Sequence, residues 1–235
     1  MALPKLENPT HSCVLPSAGV TVEYRPFLVG EQKVLLIAQE SEDANAQVKE
    51  MIRLIDTCCT DVDAKKLAGV DLEYLFIQMR IKSVGETSDV TIACEECNQD
   101  NEIKIDLECI LVNRPEPEIS NIIEITDNIS LDMHQPTYEI IQTMDANKTE
   151  DPKQIFEMVA KCIVKIIDGD EVHTRDDFSS KELNSFLDTM SLDMFEKIQL
   201  YFGNAPSLEI NHNYNCVHCK EDNFLELKGV ANFFG

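Results

Sequence analysis

The sequence predicts an α+β fold in which an N-terminal hairpin and helices are followed by two β-hairpins with a mainly helical insertion between them. In several segments apolar residues recur at helical spacing, and in two others they alternate with polar residues as in half-buried strands. The two alternating segments also resemble each other. Hydrophobic residues make up 43% of the 235 residues, so the chain can bury a core and is not expected to be disordered.

The N-terminal part is predicted to be a hairpin followed by three helices. Residues 13–24 form the predicted hairpin, with a turn at residues 17–19. Helices are expected over residues 30–40 and 46–59, and a third is expected to begin at Asp71 as its N-cap. The apolar residues Val34, Leu35, Ile37 and Ala38 are predicted to form one face of the first helix.

A segment rich in proline and acidic residues, "NRPEPEIS" at 113–120, marks the start of the insertion. One or two strands are predicted within residues 122–133, and a short helix is predicted near residues 136–145. The predicted organisation is an N-terminal α+β region, a mainly helical insertion and a C-terminal hairpin that packs back on the first hairpin, with bounds of 1–112, 113–205 and 206–235.

Three helices in the insertion have clear start signals. The first is capped by Asp151 and has an apolar stripe that continues to Ile167, and the second begins with a capping box at Ser179. The third covers residues 191–202. The sequence "DGDE" at 168–171 is predicted to be a turn that joins the first of these helices to the next segment, because it lacks the later residues of a calcium loop. The core expected for the insertion includes Ile155, Val159, Cys162, Ile166, Phe186, Leu187, Phe195 and Phe202.

The two strand regions are an internal repeat. "CEECNQDNEIKIDL" at 94–107 aligns with "CVHCKEDNFLELKG" at 216–229, and Asn101 aligns with Asn223. In each copy a pair of cysteines separated by two residues precedes polar turn residues and then a strand. A two-residue gap lets both sulfurs of a tight turn bind one tetrahedral ion at about 2.3 Å.

These cysteines therefore predict one structural zinc site in a zinc-ribbon-like unit. Its ligands are Cys94, Cys97, Cys216 and Cys219. Four thiolates complete the coordination of zinc and leave no position for a water molecule. Redox-active CxxC pairs and plain thiols are the alternatives, although thioredoxin-like pairs belong in a βαβ context. A third alternative is that His212 or His218 replaces one of the cysteines. Of the remaining cysteines, Cys13, Cys109 and Cys162 are expected to be packed thiols. Cys58 and Cys59 are expected to pack or to face solvent, with metal binding by these adjacent thiols as the alternative.

Charge and motifs exclude several classes of function. Acidic residues number 43 and basic residues 20, for a formal charge of −23. This charge disfavours binding to nucleic acid and to anionic membranes, and it favours basic protein partners. No apolar run is long enough for a transmembrane helix, and no export signal is expected, so the nine cysteines are predicted to be reduced or metal-bound. The chain contains no GxSxG, P-loop, GxGxxG or HExxH sequence. This absence argues against an enzyme and a small-molecule substrate, although catalytic groups can also converge from distant positions.

The segment "YRPFLVGEQKVLLIAQESED" at 24–43 joins the N-terminal hairpin to the first helix. Pro26 restricts Arg25 to extended conformations. Because binding energy at protein interfaces is concentrated in aromatic and arginine side chains, Tyr24, Arg25 and Phe27 are candidates for partner binding. The alternative is a rigid corner of the fold, with both aromatic rings facing inward and Arg25 paired with a nearby acid.

Three parts of the sequence resemble the small baseplate hub and hub-assembly proteins of T4-like tailed phages. They are "LPSAGVTVEYRPFLVGEQKVLLIAQESED" at 15–43, "VDLEYLFIQMRIKSVGE" at 70–86 and the CxxC hairpin that follows. The resemblance is close over residues 1–110 and loose across the insertion. The family offers no catalytic residues to transfer.

This resemblance implies a phage tail protein that acts in the assembly or structure of the central baseplate hub. Its expected partners are other hub or tail proteins, with self-association as a further possibility, and its expected location is the host cytoplasm during assembly and then the virion baseplate. The resemblance is consistent with a protein that remains in the finished virion and with an assembly chaperone that leaves it. The alternative function is a zinc-ribbon adaptor that binds and regulates a transcription machine.

Overall fold

The computed structural model describes residues 8–39, 44–116, 120–144 and 151–228. These residues form a mixed α+β structure. In chain order its elements are β1 (His11–Val14), β2 (Thr21–Tyr24), α1 (Val29–Gln39), α2 (Ala44–Cys58), α3 (Gly69–Ser83), β3 (Thr87–Ala93), β4 (Asp100–Asp106), β5 (Leu111–Asn113), β6 (Ile122–Glu124), β7 (Ile129–Met133), α4 (Tyr138–Gln142), α5 (Pro152–Cys162), β8 (Ile163–Asp168), β9 (Glu171–Thr174), α6 (Ser180–Asp188), α7 (Leu192–Gly203), β10 (Ser207–Asn215) and β11 (Asp222–Lys228). Where the structure describes the chain, no helix is long and apolar enough to cross a membrane.

The chain divides into two compact units. The first unit comprises residues 1–64, 70–113 and 207–235, and the second comprises residues 65–69 and 114–206. In the first unit, β1 pairs with β2, β3 pairs with β4, and β10 lies between β11 and β5, all antiparallel. The alternating apolar residues of β3, β4, β10 and β11 pack with α3 into one core. Its buried members are Ile77, Ile81, Val90, Ile103, Ile105, Leu107, Leu208, Ile210, Leu225 and Leu227.

The N-terminal hairpin is held by a buried carboxylate of α3. Its turn includes Gly19, whose φ of 65° favours glycine. Asp71 is buried and accepts hydrogen bonds from both the backbone N–H and the hydroxyl of Ser17, the former at 2.7 Å. The expectation that Asp71 caps α3 is wrong, because the helix begins at Gly69 and Asp71 lies in its first turn. Its side chain serves the hairpin instead.

Helix α1 leaves part of its predicted apolar face exposed. Its bounds agree with the predicted helix to within one residue. Of the residues predicted to share one face, Val34 and Ile37 are exposed and Leu35 is half-buried. The side chain of Ala38 lies outside the described residues. Among the described residues, Val34 and Ile37 are therefore not part of a core.

The second unit combines α4–α7 with a four-stranded antiparallel sheet in the order β6-β7-β8-β9. The insertion was expected to be mainly helical, with one or two strands, so a sheet of four strands is more β-structure than the sequence indicated. The predicted apolar residues do lie in or against its core, with Val159, Cys162 and Leu187 buried and the others partly buried. The buried members of this core are Ile123, Ile125, Leu131, Met133, Val159, Ala160, Cys162, Ile163, Leu183, Leu187, Ile198 and Tyr201.

The additional β-structure of the second unit begins where α5 ends and β8 starts. The predicted helical stripe ran to Ile167, but α5 ends at Cys162 and Ile163 has an extended backbone with ψ of 120°. Residues 163–168 read "IVKIID", and β-branched side chains favour strands. The turn after Asp168 contains Gly169 with φ of 57° and joins two strands, rather than a helix to the next segment as expected.

The predicted helix starts in the second unit are confirmed. Asp151 caps α5 by accepting a hydrogen bond from the Lys153 N–H at 3.0 Å. Ser179 and Glu182 form a reciprocal capping box at the start of α6. Each side-chain oxygen satisfies a backbone N–H that has no partner within the helix. These local signals fix where the helices begin.

Candidate metal centre

The two CxxC pairs lie in equivalent turns of two hairpins. The Cys94–Cys97 turn joins β3 to β4, and the Cys216–Cys219 turn joins β10 to β11. In the first turn the backbone N–H of Cys94 donates to the Gln99 carbonyl at 2.9 Å, and the equivalent bond from Cys216 to Glu221 is also 2.9 Å. Asn98 and Lys220 occupy matching positions with φ of 54° and 69°. The sequence repeat is therefore a repeat of backbone conformation.

The sulfur atoms of the four cysteines come together. All four Sγ atoms lie within 4.8 Å of one another, and the pairs that join the two hairpins are 3.7 Å (Cys94–Cys219) and 3.6 Å (Cys97–Cys216) apart. In a tetrahedral site with metal–sulfur bonds of about 2.3 Å, sulfur atoms are separated by about 3.8 Å. The donor set and its spacing thus fit a tetrahedral thiolate site, and these cysteines can hold a metal ion.

Backbone N–H groups of the turns stabilise negative charge on the first cysteine of each pair. The N–H of His218 donates to Cys216 Sγ at 3.4 Å. Burial raises the pKa of the Cys216 thiol, but hydrogen bonds from the backbone N–H groups of Cys219 and His218 and from neighbouring thiols outweigh it and lower the pKa to about 6. A hydrogen bond from the backbone of Cys97 is the main cause of a lowered pKa at Cys94. Thiolates are the form that binds metal.

Two aligned asparagines connect the turns to each other. Asn101 donates to the Gln99 carbonyl of its own turn at 2.9 Å and accepts from the Val217 N–H of the other turn at 2.9 Å. Asn223 makes the equivalent bonds, to the Glu221 carbonyl at 2.9 Å and from the Glu95 N–H at 3.4 Å. The sequence repeat aligned these residues but assigned them no role. The missed signal was an amide side chain at the same strand position in both copies.

Neither histidine near the second turn belongs to the sulfur cluster. Among the described residues, the metal-ligating group consists of the four cysteines alone. The Nε2 atom of His218 lies 3.2 Å from the Asp100 carbonyl oxygen, and His212 lies on β10 opposite Leu225. The donor set is therefore four sulfurs.

The other cysteines lie outside this group. Cys58, Cys59 and Cys162 are buried, and Cys13 is half-buried. Cys109 is exposed, so the expectation that it packs is wrong. Burial raises the pKa of the Cys59 and Cys162 thiols to about 12. Thiols with raised pKa are poor nucleophiles at neutral pH. Cys162 packs in the core of the second unit, as predicted.

The structure places the Tyr24–Phe27 segment at the corner between β2 and α1. Tyr24 and Phe27 are buried, and the Phe27 N–H donates to the Ser83 hydroxyl at 2.9 Å. The guanidinium of Arg25 donates to both carboxylate oxygens of Glu31, at 2.9 and 2.7 Å. Both rings are thus enclosed. Partner binding by Tyr24, Arg25 and Phe27 stays a prediction.

Comparison with known proteins identifies the family. A family model described as "T4 bacteriophage base plate protein" matches residues 8–235. No curated protein and no solved structure gives a significant match. The matched range includes the second compact unit, the first unit from residue 8 onward and all four clustered cysteines. The chain belongs to the T4 bacteriophage base plate protein family.

Proposed function

We propose that this baseplate protein is a non-enzymatic component or assembly factor of the central hub, and that it works through contacts with other hub or tail proteins. The family match over residues 8–235 carries the proposal, because it makes baseplate function a property of the whole chain. The specific assignment to the hub is supported by the similarity of residues 15–43 and 70–86 to hub and hub-assembly proteins. Assembly in the host cytoplasm, followed by incorporation in the virion or release, is part of the proposal.

The four-cysteine centre is proposed to hold one structural zinc ion. Cys94, Cys97, Cys216 and Cys219 supply four sulfur ligands at distances that suit tetrahedral coordination. Zinc with four protein ligands has no open position for water or substrate, so the ion contributes stability rather than chemistry. It would attach the C-terminal hairpin of residues 206–235 to the hairpin near residue 94, which agrees with the proposed division at residues 112/113 and 205/206.

The net charge of the chain indicates which kinds of partner surface it favours. With a formal charge of −23, the protein favours basic protein surfaces and is repelled by nucleic acid phosphates. The same charge opposes self-association, although a second copy is a possible partner at an apolar contact. These physical preferences suit a protein that recognises other proteins during assembly.

Affinity purification from infected cells tests the hub assignment against the transcription alternative. The full-length protein carries a tag and replaces the natural copy in the phage. Recovery of hub proteins in stoichiometric amounts is expected. Recovery of RNA polymerase subunits without baseplate proteins would contradict the hub assignment and favour a zinc-ribbon adaptor.

A further inference from the structure

Helix α1 exposes most of its large apolar side chains. Val29 is 84% exposed, Val34 44%, Leu36 54% and Ile37 59%. Isolated exposed apolar residues are common on protein surfaces, but a contiguous group is typical of an interaction site. Here four such residues occur within one helix of 11 residues.

These side chains share one side of the helix. At about 100° per residue, Leu36, Val29, Lys33, Ile37, Gly30 and Val34 fall within an arc of about 160°. We call these six residues the α1 arc. The opposite side contains Glu31, Gln32 and Leu35, which are partly buried, and α1 lies against α2. The helix is therefore attached by its more polar side and presents its apolar side outward.

The corner that precedes α1 fixes the helix in place. The Glu31 carboxylate accepts from the Leu28 N–H at 2.7 Å, which satisfies a free donor at the helix start. The same carboxylate accepts hydrogen bonds from Arg25, and the Phe27 N–H donates a hydrogen bond to the Ser83 hydroxyl of α3. A surface that is rigid before binding loses less conformational entropy when it binds. The geometry of this corner would therefore serve the arc, even though its aromatic rings are buried.

The shape and charge of the arc decide between possible occupants. An 11-residue helix is about 16 Å long and about 10 Å wide, so two convex arcs in contact cannot bury the roughly 800 Å² per partner that is usual in stable complexes. Two copies of a chain with a formal charge of −23 also repel each other. A concave groove can enclose such a helix on several sides.

Lys33 adds a requirement on the partner. It is the charged residue of the arc, and among the described residues no ion pair to it is found. A Cβ atom added to Gly30 would have no neighbouring atom within 4 Å, so the partner can approach the backbone closely there. A matching groove is apolar and carries a carboxylate opposite Lys33, since an unpaired ammonium group is costly to bury.

We propose that the α1 arc docks into an apolar groove, with a carboxylate opposite Lys33, on a different protein of the same baseplate. This inference rests on the proposed function and deepens it by naming the surface. The segment at residues 24–43 then has two parts. Residues 24–28 build a rigid corner, and α1 (Val29–Gln39) is the ligand helix.

The test uses the full-length protein, co-expressed in turn with each other baseplate protein of the same phage. Three substitutions replace arc residues by acidic residues that are compatible with an exposed helix. They are Val29→Asp, Leu36→Glu and Lys33→Glu. Leu192→Glu is the matched control, because Leu192 is 88% exposed at the start of α7. One baseplate protein is expected to form a complex with the wild type and the control. Each arc variant is expected to weaken this complex about tenfold or more.

Several outcomes would overturn the proposal. If the complex with a baseplate protein survives all three arc substitutions, the arc proposal is wrong and the hub function still stands. The same holds if the wild type forms a dimer that Leu36→Glu disperses. A melting temperature lowered by Leu36→Glu in the full chain, but not in a chain ending at Lys228, would show that residues 229–235 cover the arc. Absence of any baseplate partner would contradict both proposals. If the arc binds a baseplate protein outside the hub, the arc proposal stands and the hub assignment fails.

Discussion

Glu31 connects the corner at Arg25 to the first turn of α1. The hydrogen bond from Arg25 is the main cause that lowers the pKa of Glu31, and it outweighs the opposing effect of burial. A carboxyl whose pKa is lower in the folded state contributes stability above its unfolded pKa of about 4.3. This contribution is lost as the pH falls through the folded pKa. The pair therefore stabilises the corner at neutral pH and not in acid.

Glu31→Gln is expected to lower the free energy of unfolding at pH 7 by about 1 kcal/mol. The difference from wild type should shrink as the pH falls below about 4, because the wild-type carboxylate then becomes protonated. Chemical denaturation across this pH range measures the effect. Glu157→Gln on the exposed side of α5 is the control and is expected to have little effect at either pH. An equal loss for Glu31→Gln at all pH values would contradict the role of the ion pair.

The cysteine residues lead to a prediction about metal. Purified protein is expected to contain about one zinc ion per chain, since four thiolates complete one site. Cys216→Ser should remove most of the zinc and lower the melting temperature, because binding energy of a structural metal is folding energy. Cys109→Ser, at an exposed cysteine outside the cluster, should change neither. Zinc-free wild-type protein that melts normally in the presence of a chelator would contradict the metal site.

Asn101 is expected to support the centre without binding the metal. Asn101→Ala removes the acceptor of the Val217 N–H and the donor to the Gln99 carbonyl. The free energy of unfolding is expected to fall by about 1–3 kcal/mol, the usual cost when buried polar groups lose their partners. Chelator titration should also release metal more readily. Asn211→Ala on the exposed side of β10 is the comparison, and equal behaviour of the two variants would exclude this role for Asn101.

At the scale of elements, features set by neighbouring residues were predictable from the sequence. Features set by tertiary packing were not. The caps at Asp151 and Ser179 follow from side chains that bond to nearby backbone groups, so the sequence alone identifies them. The four cysteines were predictable for the same reason, because their spacing is local within each turn. The helix-to-strand change at Ile163 was not, since periodicity alone does not distinguish a short apolar strand from the continuation of a buried helix. Exposure of the α1 stripe was also missed, because periodicity shows which residues share a face and not what covers it.

Two substitutions test the junction between α5 and β8. Val159 on α5 and Ile163 on β8 are both buried in the core of the second unit. Val159→Asp and Ile163→Asp each bury a carboxylate without a partner and are expected to destabilise the protein by about 3 kcal/mol or more. Val172→Asp places the same charge on an exposed position of β9. Chemical denaturation of all variants under the same conditions measures the change in stability. Unchanged stability in both buried-position variants would show that Val159 and Ile163 are not in a core.

At the scale of the whole molecule, one baseplate family match covers the second compact unit and the first unit from residue 8 onward. The chain has a cluster of four cysteines, a formal charge of −23 and a helix with exposed apolar residues. These properties support the proposal that the protein works through contacts with other proteins. The cysteine set and the corner at Tyr24 were both stated from the sequence, whereas the exposed side of α1 was not, because exposure depends on residues distant in the chain.

Complementation of a phage that lacks this gene is the most direct test of the central claim that the protein acts in the hub. Infected cells supply no copy, the wild-type copy or a copy with Cys216→Ser, and sedimentation separates baseplates from their precursors. The account predicts that baseplate wedges accumulate without a hub when the protein is absent, and that the wild-type copy restores complete baseplates. Complete baseplates with a normal hub in the absence of the protein would contradict the account.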